Sequence, residues 1–251
     1  MKKNTKKIVT AAGIAAGTAA VASLYAYVTI KALIDTALDR EMPKVMEKAD
    51  KRISGEKSSD EFTNRMESAS ESLAVQPNET VEIIAHDGEK LVGHYFPCEK
   101  PERVIIAFHG WRSSWHRDFG MISDFWYKNN CSVLYVEQRG QNNSSGEYMG
   151  FGLTERFDCL DWLNWEIERC GSDIPVYLAG VSMGATTVLM AAGLQLPPNV
   201  HGIMADCGFT SANAIWEHIA KDNLHIRFGI RSAIADRMCR RLKGAFDGRS
   251  S

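Results

Sequence analysis

Between about residues 79 and 209, short apolar runs alternate with longer amphipathic patterns, and this alternation constrains the fold more than any other feature. The runs are continuously apolar, which is typical of strands that are buried on both faces. Strands that alternate with helices predict an α/β fold, a mostly parallel sheet with helices on both faces. The predicted strands are residues 103–110, 131–140, 175–182 and 200–209, and the predicted helices are residues 119–130, 151–171 and 183–196.

An antiparallel hairpin is predicted ahead of this sheet. In "TVEIIAHDGEKLVGHYF" two alternating runs flank Asp87-Gly88, a dipeptide that favours tight hairpin turns. Gly171 is expected to end the helix of residues 151–171, because glycine accepts the left-handed conformation that often closes a helix.

Composition narrows the function classes. A chain of 251 residues that is 45% hydrophobic is long enough for one sizeable domain with appendages. The formal net charge of -2 predicts no nucleic-acid partner. The six cysteines form no C-x-x-C pair, and neither G-x-G-x-x-G nor a P-loop follows the first parallel strand, so no metal and no cofactor are predicted.

The amino terminus resembles a membrane anchor. Residues 1–7 form a basic tail with four lysines, and residues 8–30 carry no charge. A helix of that length would extend about 34 Å, enough to cross a bilayer core. The lysines predict a cytoplasmic amino terminus, which leaves the bulk of a single-pass protein outside the cytoplasm. Ala20-Val21-Ala22 supports the alternative of a cleaved signal peptide and a secreted protein, but the apolar run continues to Ile30.

A polar connector follows this segment. Residues 31–75 show helical spacing of apolar residues with charges between them, interrupted by "GEKSSD" at residues 55–60. We expect a helical stalk without visible chemistry, followed by the α/β domain over residues 76–251.

The motif with most chemical content is "VYLAGVSMGATTVLM", residues 176–190. G-x-S-x-G between an apolar strand and an apolar helix predicts that Ser182 is a nucleophile on a sharp turn. The following helix directs its amino terminus at this turn, so the Met183 N–H becomes a candidate oxyanion donor. "FHGWRSS" after an earlier strand contains the second candidate, the Trp111 backbone N–H. The alternative is a serine that merely turns the chain.

In content and order, "FHGW", "VEQRGQNNSSG", "FGLTERFDCLDWL", "LAGVSMGATT" and "ADCGFTS" resemble the α/β-hydrolase family. The similarity extends over about residues 79–247. It is greatest to membrane-anchored bacterial serine hydrolases of the serine aminopeptidase-like and esterase/lipase-like branch. The resemblance implies a Ser-His-Asp hydrolase of small carboxylic esters, thioesters or amides, with Ser182 as nucleophile and Trp111 and Met183 as oxyanion donors.

The chain departs from the family pattern in two places. The family reads Asp-x-Arg-Gly-His-Gly-x-Ser where this chain has "EQRGQNNS", residues 137–144. In the family, the acid and the histidine follow two further strands, but after residues 200–209 this sequence predicts only helices, residues 211–224 and 231–244. The domain is therefore expected to lack its last strands, the triad acid and the histidine, as a C-terminally incomplete hydrolase would.

Substitutes for the missing partners are few. Asp206 ends the strand of residues 200–209 and is the candidate acid, although an aspartate in this place is more often bonded within the turn. His109 is expected to be structural, and His218 and His225 to lie on the following helix, facing the pocket or solvent. His201 begins its strand, and the two histidines of the hairpin, His86 and His94, are expected to be exposed.

Two hypotheses remain open. The first is an anchored serine hydrolase, and the second is a pseudo-hydrolase that binds a ligand or partner without turnover. The sequence does not indicate whether the protein is a monomer or an oligomer.

Overall fold

The computed structural model describes residues 60–211 without a gap. It also describes residues 17, 18, 20, 21, 23–25, 27, 28, 31, 32 and 35–41 before them, and residues 214, 215, 218 and 221 after them. The helices are α1 (Asp60–Ala74), α2 (Trp115–Lys128), α3 (Glu155–Cys170) and α4 (Met183–Ala191). The strands are β1 (Glu79–Ile84), β2 (Lys90–Phe96), β3 (Arg103–Phe108), β4 (Cys131–Glu137), β5 (Val176–Val181) and β6 (Val200–Asp206).

These strands form one six-stranded sheet in the order β1-β2-β4-β3-β5-β6. β2 pairs antiparallel with both β1 and β4, and β3 pairs parallel with β4 and β5. β5 also pairs parallel with β6. The carboxyl ends of β3, β4, β5 and β6 therefore meet at one edge of the sheet, where ligands of such folds bind. The predicted hairpin is confirmed, with Gly88 at φ +92° and its N–H bonded to the Ala85 carbonyl at 2.8 Å.

Both faces of the sheet are covered, as continuously apolar strands require. Alternate residues of β3 point to opposite faces. Val104, Ile106 and Phe108 join the core with Trp162 of α3, while Ile105 packs on the other face. Close packing is visible at Gly93 of β2, where an added Cβ would lie 3.1 Å from the Trp162 ring. The residues that pack with Ile105 on that other face are Leu73 of α1, Trp115, Phe119 and Trp126 of α2, and Tyr135 of β4.

The last part of the predicted stalk is α1, and it packs on the domain. A Cβ added to Gly120 of α2 would lie 2.7 Å from the backbone of Ala69. Ser70 Oγ and His116 Nδ1 form a hydrogen bond of 2.9 Å, and Leu73 is buried. The sequence therefore predicted the helix, but the contact with α2 was not foreseen. Residues 42–59 lie outside the described part, so the domain boundaries stay predictions.

The predicted membrane anchor, residues 8–30, lies mostly outside the described residues. Within the described part of the chain, no helix has the length and apolar character needed to cross a membrane. Membrane attachment and localisation therefore remain predictions. The predicted helix of residues 231–244 and most of the predicted helix of residues 211–224 also lie outside the described residues.

Candidate active site

Ser182 lies at the junction of β5 and α4 in a conformation that L residues rarely adopt, with φ +52° and ψ -110°. Such a conformation persists only where the surrounding structure imposes it. A side chain on Gly180 would overlap the backbone of Gly184, and one on Gly184 would overlap the carbonyl oxygen of Phe108. These close approaches explain why the motif needs glycine on both sides of the serine. The strand–turn–helix setting is the one that the sequence predicted, and the role of Ser182 stays a prediction.

Met183, a predicted oxyanion donor, is the first residue of α4 and is fully buried. The first N–H groups of a helix have no acceptor within the helix, and they carry the positive end of its dipole. The loop with the other predicted donor, Trp111, approaches from β3. A Cβ on Gly110 would lie 3.5 Å from the Ser182 Cβ. The structure thus brings the segments that contain both predicted donors, the start of α4 and the loop after β3, next to the serine.

Asp118 of α2 fixes this oxyanion loop, residues 109–112. Its Oδ2 accepts the Gly110 N–H at 2.6 Å, and its Oδ1 accepts the Ser113 hydroxyl at 2.6 Å. A carboxylate that accepts two such bonds holds the backbone more firmly than a neutral acceptor would. Asp118 was not identified from the sequence, because its partners are brought to it by the turn between β3 and α2.

His109 is structural, as expected. Its ring is fully buried; Nδ1 donates to the Gly110 carbonyl at 2.8 Å, and Nε2 accepts the backbone N–H of Gln138 at 3.2 Å. The Asn142 amide also contacts Nε2 at 3.2 Å. Burial lowers the pKa of the ring, so that it stays neutral. With both nitrogens occupied, His109 holds loops together and is not placed to take a proton from Ser182.

The prediction that His94 is exposed was wrong. Its ring is stacked on Trp115 with centroids 4.4 Å apart, and its Nε2 bonds to Glu137 Oε1 at 2.8 Å. Burial raises the pKa of the Glu137 carboxyl, but hydrogen bonds from His94 and Asn143 outweigh burial and leave the pKa below its ordinary value. Glu137 stands where the α/β-hydrolase family that the sequence resembles has aspartate, and it ties β2 to the loop after β4.

Among the described residues, the other histidines do not complete the site. His86 is exposed, as predicted, and bonds to Asp161 at 2.6 Å, and His201 is exposed at the start of β6. His218 is exposed, and His225 lies outside the described residues. Among the described histidines, none forms a hydrogen bond with Ser182.

Asp206, the candidate acid, ends β6 beside the elbow. Its backbone carbonyl accepts the Ser182 N–H at 2.9 Å, and its side chain is exposed. No histidine in the described part of the chain bonds to this carboxylate. The catalytic role of Asp206 therefore stays a prediction. Cys207 follows at φ +48°, and burial raises the pKa of its thiol.

In the "EQRGQNNS" loop, the α/β-hydrolase family that the sequence resembles has histidine at the position of Gln141. The Oε1 of Gln141 accepts the backbone N–H of Arg112 at 2.5 Å.

Within the same loop, Arg139 is buried between two carboxylates. Its Nε bonds to Asp158 at 2.6 Å and its Nη1 to Asp87 at 2.8 Å. Burial raises the pKa of Asp158 to about 7 against the opposing effect of Arg139. Burial by itself would also raise the pKa of Asp87, but the hydrogen bonds and positive charge of Arg139 outweigh burial and lower this pKa to about 2.

Among the described residues, one cluster has side chains of the kinds that bind metals. Ligand atoms of His86, Asp158 and Asp161 lie within 4.8 Å of one another. However, the Asp158 carboxylate binds Arg139, and Asp161 Oδ2 accepts both the ring and the backbone N–H of His86. Because these groups already bond within the protein, we assign no metal here. The expected absence of a cofactor is untested.

Comparison with solved structures defines the fold. One crystal form of the esterase Pf2001 from Pyrococcus furiosus aligns with a TM-score of 0.53 at 22% identity, over 72% of this chain and 65% of that chain. The chain has the α/β-hydrolase fold. A second crystal form of the same esterase has a TM-score of 0.46 at 25% identity, and the alignment spans 55% of this chain and about half, 51%, of that one.

Another similar structure is XC6422 from Xanthomonas campestris, described as an α/β serine hydrolase without lid. It has a TM-score of 0.41 at 19% identity, over 47% of this chain and 56% of that chain. Neither a protein-family model nor a curated protein sequence matches the chain.

Proposed function

We propose that this protein is a serine hydrolase that cleaves small carboxylic esters, thioesters or amides, with Ser182 as the nucleophile. The observation that carries the proposal is the strained backbone of Ser182, with φ +52°, at the start of α4. Strain of this kind is typical of a hydroxyl exposed on a nucleophile elbow. A serine that only turned the chain would not need two flanking glycines packed against backbone atoms.

In the proposed reaction, Ser182 Oγ attacks the carbonyl carbon of the substrate and gives a tetrahedral intermediate. The negative charge on its oxygen is stabilised by the backbone N–H groups of Met183 and Trp111. Collapse expels the alcohol, thiol or amine and leaves an acyl-serine ester, which water hydrolyses to regenerate the hydroxyl. The reaction requires a base for the serine proton and an acid behind it. No described histidine bonds to Ser182, and we retain Asp206 as the candidate acid.

We also propose that residues 8–30 anchor the protein in a membrane, with the hydrolase domain outside the cytoplasm. Described residues of this segment are helical, and their apolar side chains are largely exposed. The exposed fraction is 69% at Val21, 64% at Leu24 and 75% at Tyr25. Apolar side chains exposed at these helical positions favour a lipid or protein environment. Release by cleavage after Ala22 is the alternative, and would give a secreted enzyme.

The second candidate function is a pseudo-hydrolase that binds a ligand at the same site. It is favoured by one observation: among the described residues, no histidine bonds to Ser182 or to the Asp206 carboxylate. Such a protein would keep the elbow and the oxyanion donors but would turn over no ester.

Activity of the full chain distinguishes the two functions. We expect p-nitrophenyl esters of short acyl chains to be hydrolysed, and Ser182→Ala to lower kcat by at least about a thousandfold, since removal of a triad nucleophile has effects of that size or larger. The matched control is Ser68→Ala on the exposed face of α1, which should retain full activity. If wild-type protein and Ser182→Ala hydrolyse the ester equally slowly, the hydrolase proposal fails and the binding function replaces it.

A further inference from the structure

Residues 35–41, which we call the N-terminal strap, lie on the loops beside Ser182. Residues 35–38 are helical, and the Arg112 side chain binds the carbonyls at the end of this helix. Arg112 Nη2 donates to the Thr36 and Asp39 carbonyls at 2.9 and 2.6 Å, and Nη1 donates to the Arg40 carbonyl at 3.0 Å. The last carbonyls of a helix lack partners and carry its negative end, so a guanidinium there is favourable.

Trp111 adds a bond from the oxyanion loop to the same strap. Its indole Nε1 donates to the Ala37 carbonyl at 3.0 Å. The guanidinium carbon of Arg112 lies 5.2 Å from the centroid of the Trp111 ring, within the range of a cation–π contact. Two consecutive side chains of the loop therefore bind the strap, and both do so through its backbone.

The strap is held from its other side by the loop that follows β4. Arg40 donates from Nη1 to the Ser144 carbonyl and from Nη2 to the Asn142 carbonyl, each at 2.6 Å. The Met149 N–H bonds to the Leu38 carbonyl at 2.7 Å. The strap thus connects the loop after β3 with the loop after β4, across the edge of the sheet where Ser182 lies.

Burial shows that this contact is part of the folded core. Thr36 and Leu38 are fully buried, and Ala37 is 2% exposed. A segment that only linked a stalk to a domain would leave such side chains in water. Packing and hydrogen bonds together make the strap a structural element of the site.

The backbone of Arg112 is itself constrained. Its φ is +50°, in the left-handed region that non-glycine residues seldom adopt. The Gln141 side chain accepts its N–H at 2.5 Å, while the strap binds its guanidinium. A conformation of this kind persists where neighbours over-determine it. At the other side of Trp111, the Gly110 N–H is bound by Asp118.

We propose that Arg112 is a positioning residue for the oxyanion hole, and that the strap it binds keeps the Trp111 N–H directed at the substrate oxygen. The role assigned to Trp111 rests on the proposed function. Fixing the peptides on both sides of a donor removes the reorganisation that would otherwise accompany development of the charge. The amino-terminal segment is therefore part of the catalytic architecture of the domain.

The kinetic test uses the full chain with Arg112→Ala, Arg40→Ala and the double variant. We expect Arg112→Ala to lower kcat by about 30-fold with KM changed by less than about threefold, because the oxyanion forms only in the transition state. Arg40→Ala should lower kcat by about tenfold, and the double variant should resemble Arg112→Ala, because both changes release one strap. Arg112→Lys should recover part of the loss.

The matched control is Arg103→Ala at the opposite end of β3, which removes one half-exposed cation and should leave kcat unchanged. A kcat within about twofold of wild type in Arg112→Ala, or strictly additive losses in the double variant, would overturn the proposal.

A second measurement is independent of turnover. Hydrogen exchange of peptides covering residues 109–113 should accelerate at least about tenfold in Arg112→Ala and in Arg40→Ala, and should not change in Arg103→Ala. Unchanged exchange in Arg40→Ala would show that the strap does not hold the loop and would overturn the proposal. If wild-type protein shows no Ser182-dependent turnover, the hydrolase function fails, and exchange alone decides whether the strap fixes the loop.

Discussion

The backbone N–H of Ser182 donates a hydrogen bond of 2.9 Å to the carbonyl oxygen of Asp206, which ties the elbow after β5 to the end of β6. The strained turn is therefore supported by the neighbouring strand as well as by the glycines of its own motif. Since β6 contributes this acceptor, the geometry of the elbow depends on the pairing of β5 with β6.

Gly184→Ala should destabilise the protein. The added methyl group would overlap the carbonyl oxygen of Phe108, and both groups belong to backbone that cannot rotate away. We expect a loss of about 3 kcal/mol in the free energy of unfolding, at the upper end of overpacking effects. Urea denaturation measures it. Gly193→Ala is the matched control, since its Cβ would lie 3.3 Å from the Met190 carbonyl, and a loss as large there would contradict this explanation.

Ser182→Gly should be more stable than Ser182→Ala by about 1 kcal/mol, because glycine adopts φ +52° without a Cβ penalty. Both variants lack the hydroxyl, so their difference reflects the strain of a Cβ at this φ together with the larger unfolded-state entropy of glycine, which acts in the opposite direction. Thermal denaturation of the two variants measures it. A glycine variant that is no more stable than the alanine variant would contradict the prediction.

Asp118→Ala should lower turnover more than it lowers stability. It removes both acceptors that hold the Gly110 N–H and the Ser113 hydroxyl. We expect kcat to fall by about tenfold or more, as loosening of oxyanion donors has effects of this order. Asp124→Ala is the control on the same helix, because its side chain is 76% exposed and pairs with the exposed Lys128 at 3.6 Å. Parallel losses of kcat in the two variants would argue against a specific role of Asp118.

Low pH should lower the stability of the protein because Asp87 becomes protonated. Arg139 overcomes the effect of burial and lowers the pKa of Asp87 to about 2, below its unfolded value of 3.8. A depressed pKa contributes stability that is complete above the unfolded pKa and is lost as the pH falls from about 4 to about 2. The contribution is at most about 1 kcal/mol, because Asp87 is exposed and solvent screens its pairing with Arg139.

The matching variant is Asp87→Asn, measured by urea denaturation between pH 5 and pH 2. As the pH falls, the free energy of unfolding of the wild-type protein should decrease by the contribution of ionised Asp87. The decrease in Asp87→Asn should be smaller by that contribution. Identical slopes for both proteins would contradict the assignment to Asp87.

Local signals in the sequence predicted the elements that carry the site. The hairpin at Asp87-Gly88, the helix end at Gly171 and the turn at Ser182 all depend on which residues tolerate unusual φ angles, and the structure places all three as predicted. Element starts were less accurate: α3 begins at Glu155 and not at residue 151, because residues 151–154 form turns ahead of the helix.

Pairwise chemistry was harder to predict. His94 was expected to be exposed because it lies on a hairpin, but β2 pairs with β4 and places its ring beside Glu137. Residues 35–41 were interpreted as part of a stalk without chemistry. Their partners in the sequence, Arg112 and residues 142–149, are more than 70 positions away, and no local pattern indicates such a contact.

The sequence by itself determined how strands and helices follow one another along the chain, and it determined the sharp turn at Ser182. Both depend on periodicity and glycine placement, which act over a few residues. Only the tertiary structure decided which polar groups meet there: Asp118 with Gly110, Gln141 with the Arg112 backbone, and the Arg112 side chain with the strap. These partners meet only when the strands assemble into the sheet and bring their loops together. Because hydrogen bonds reach only about 3 Å, contacts of this kind depend on long-range packing.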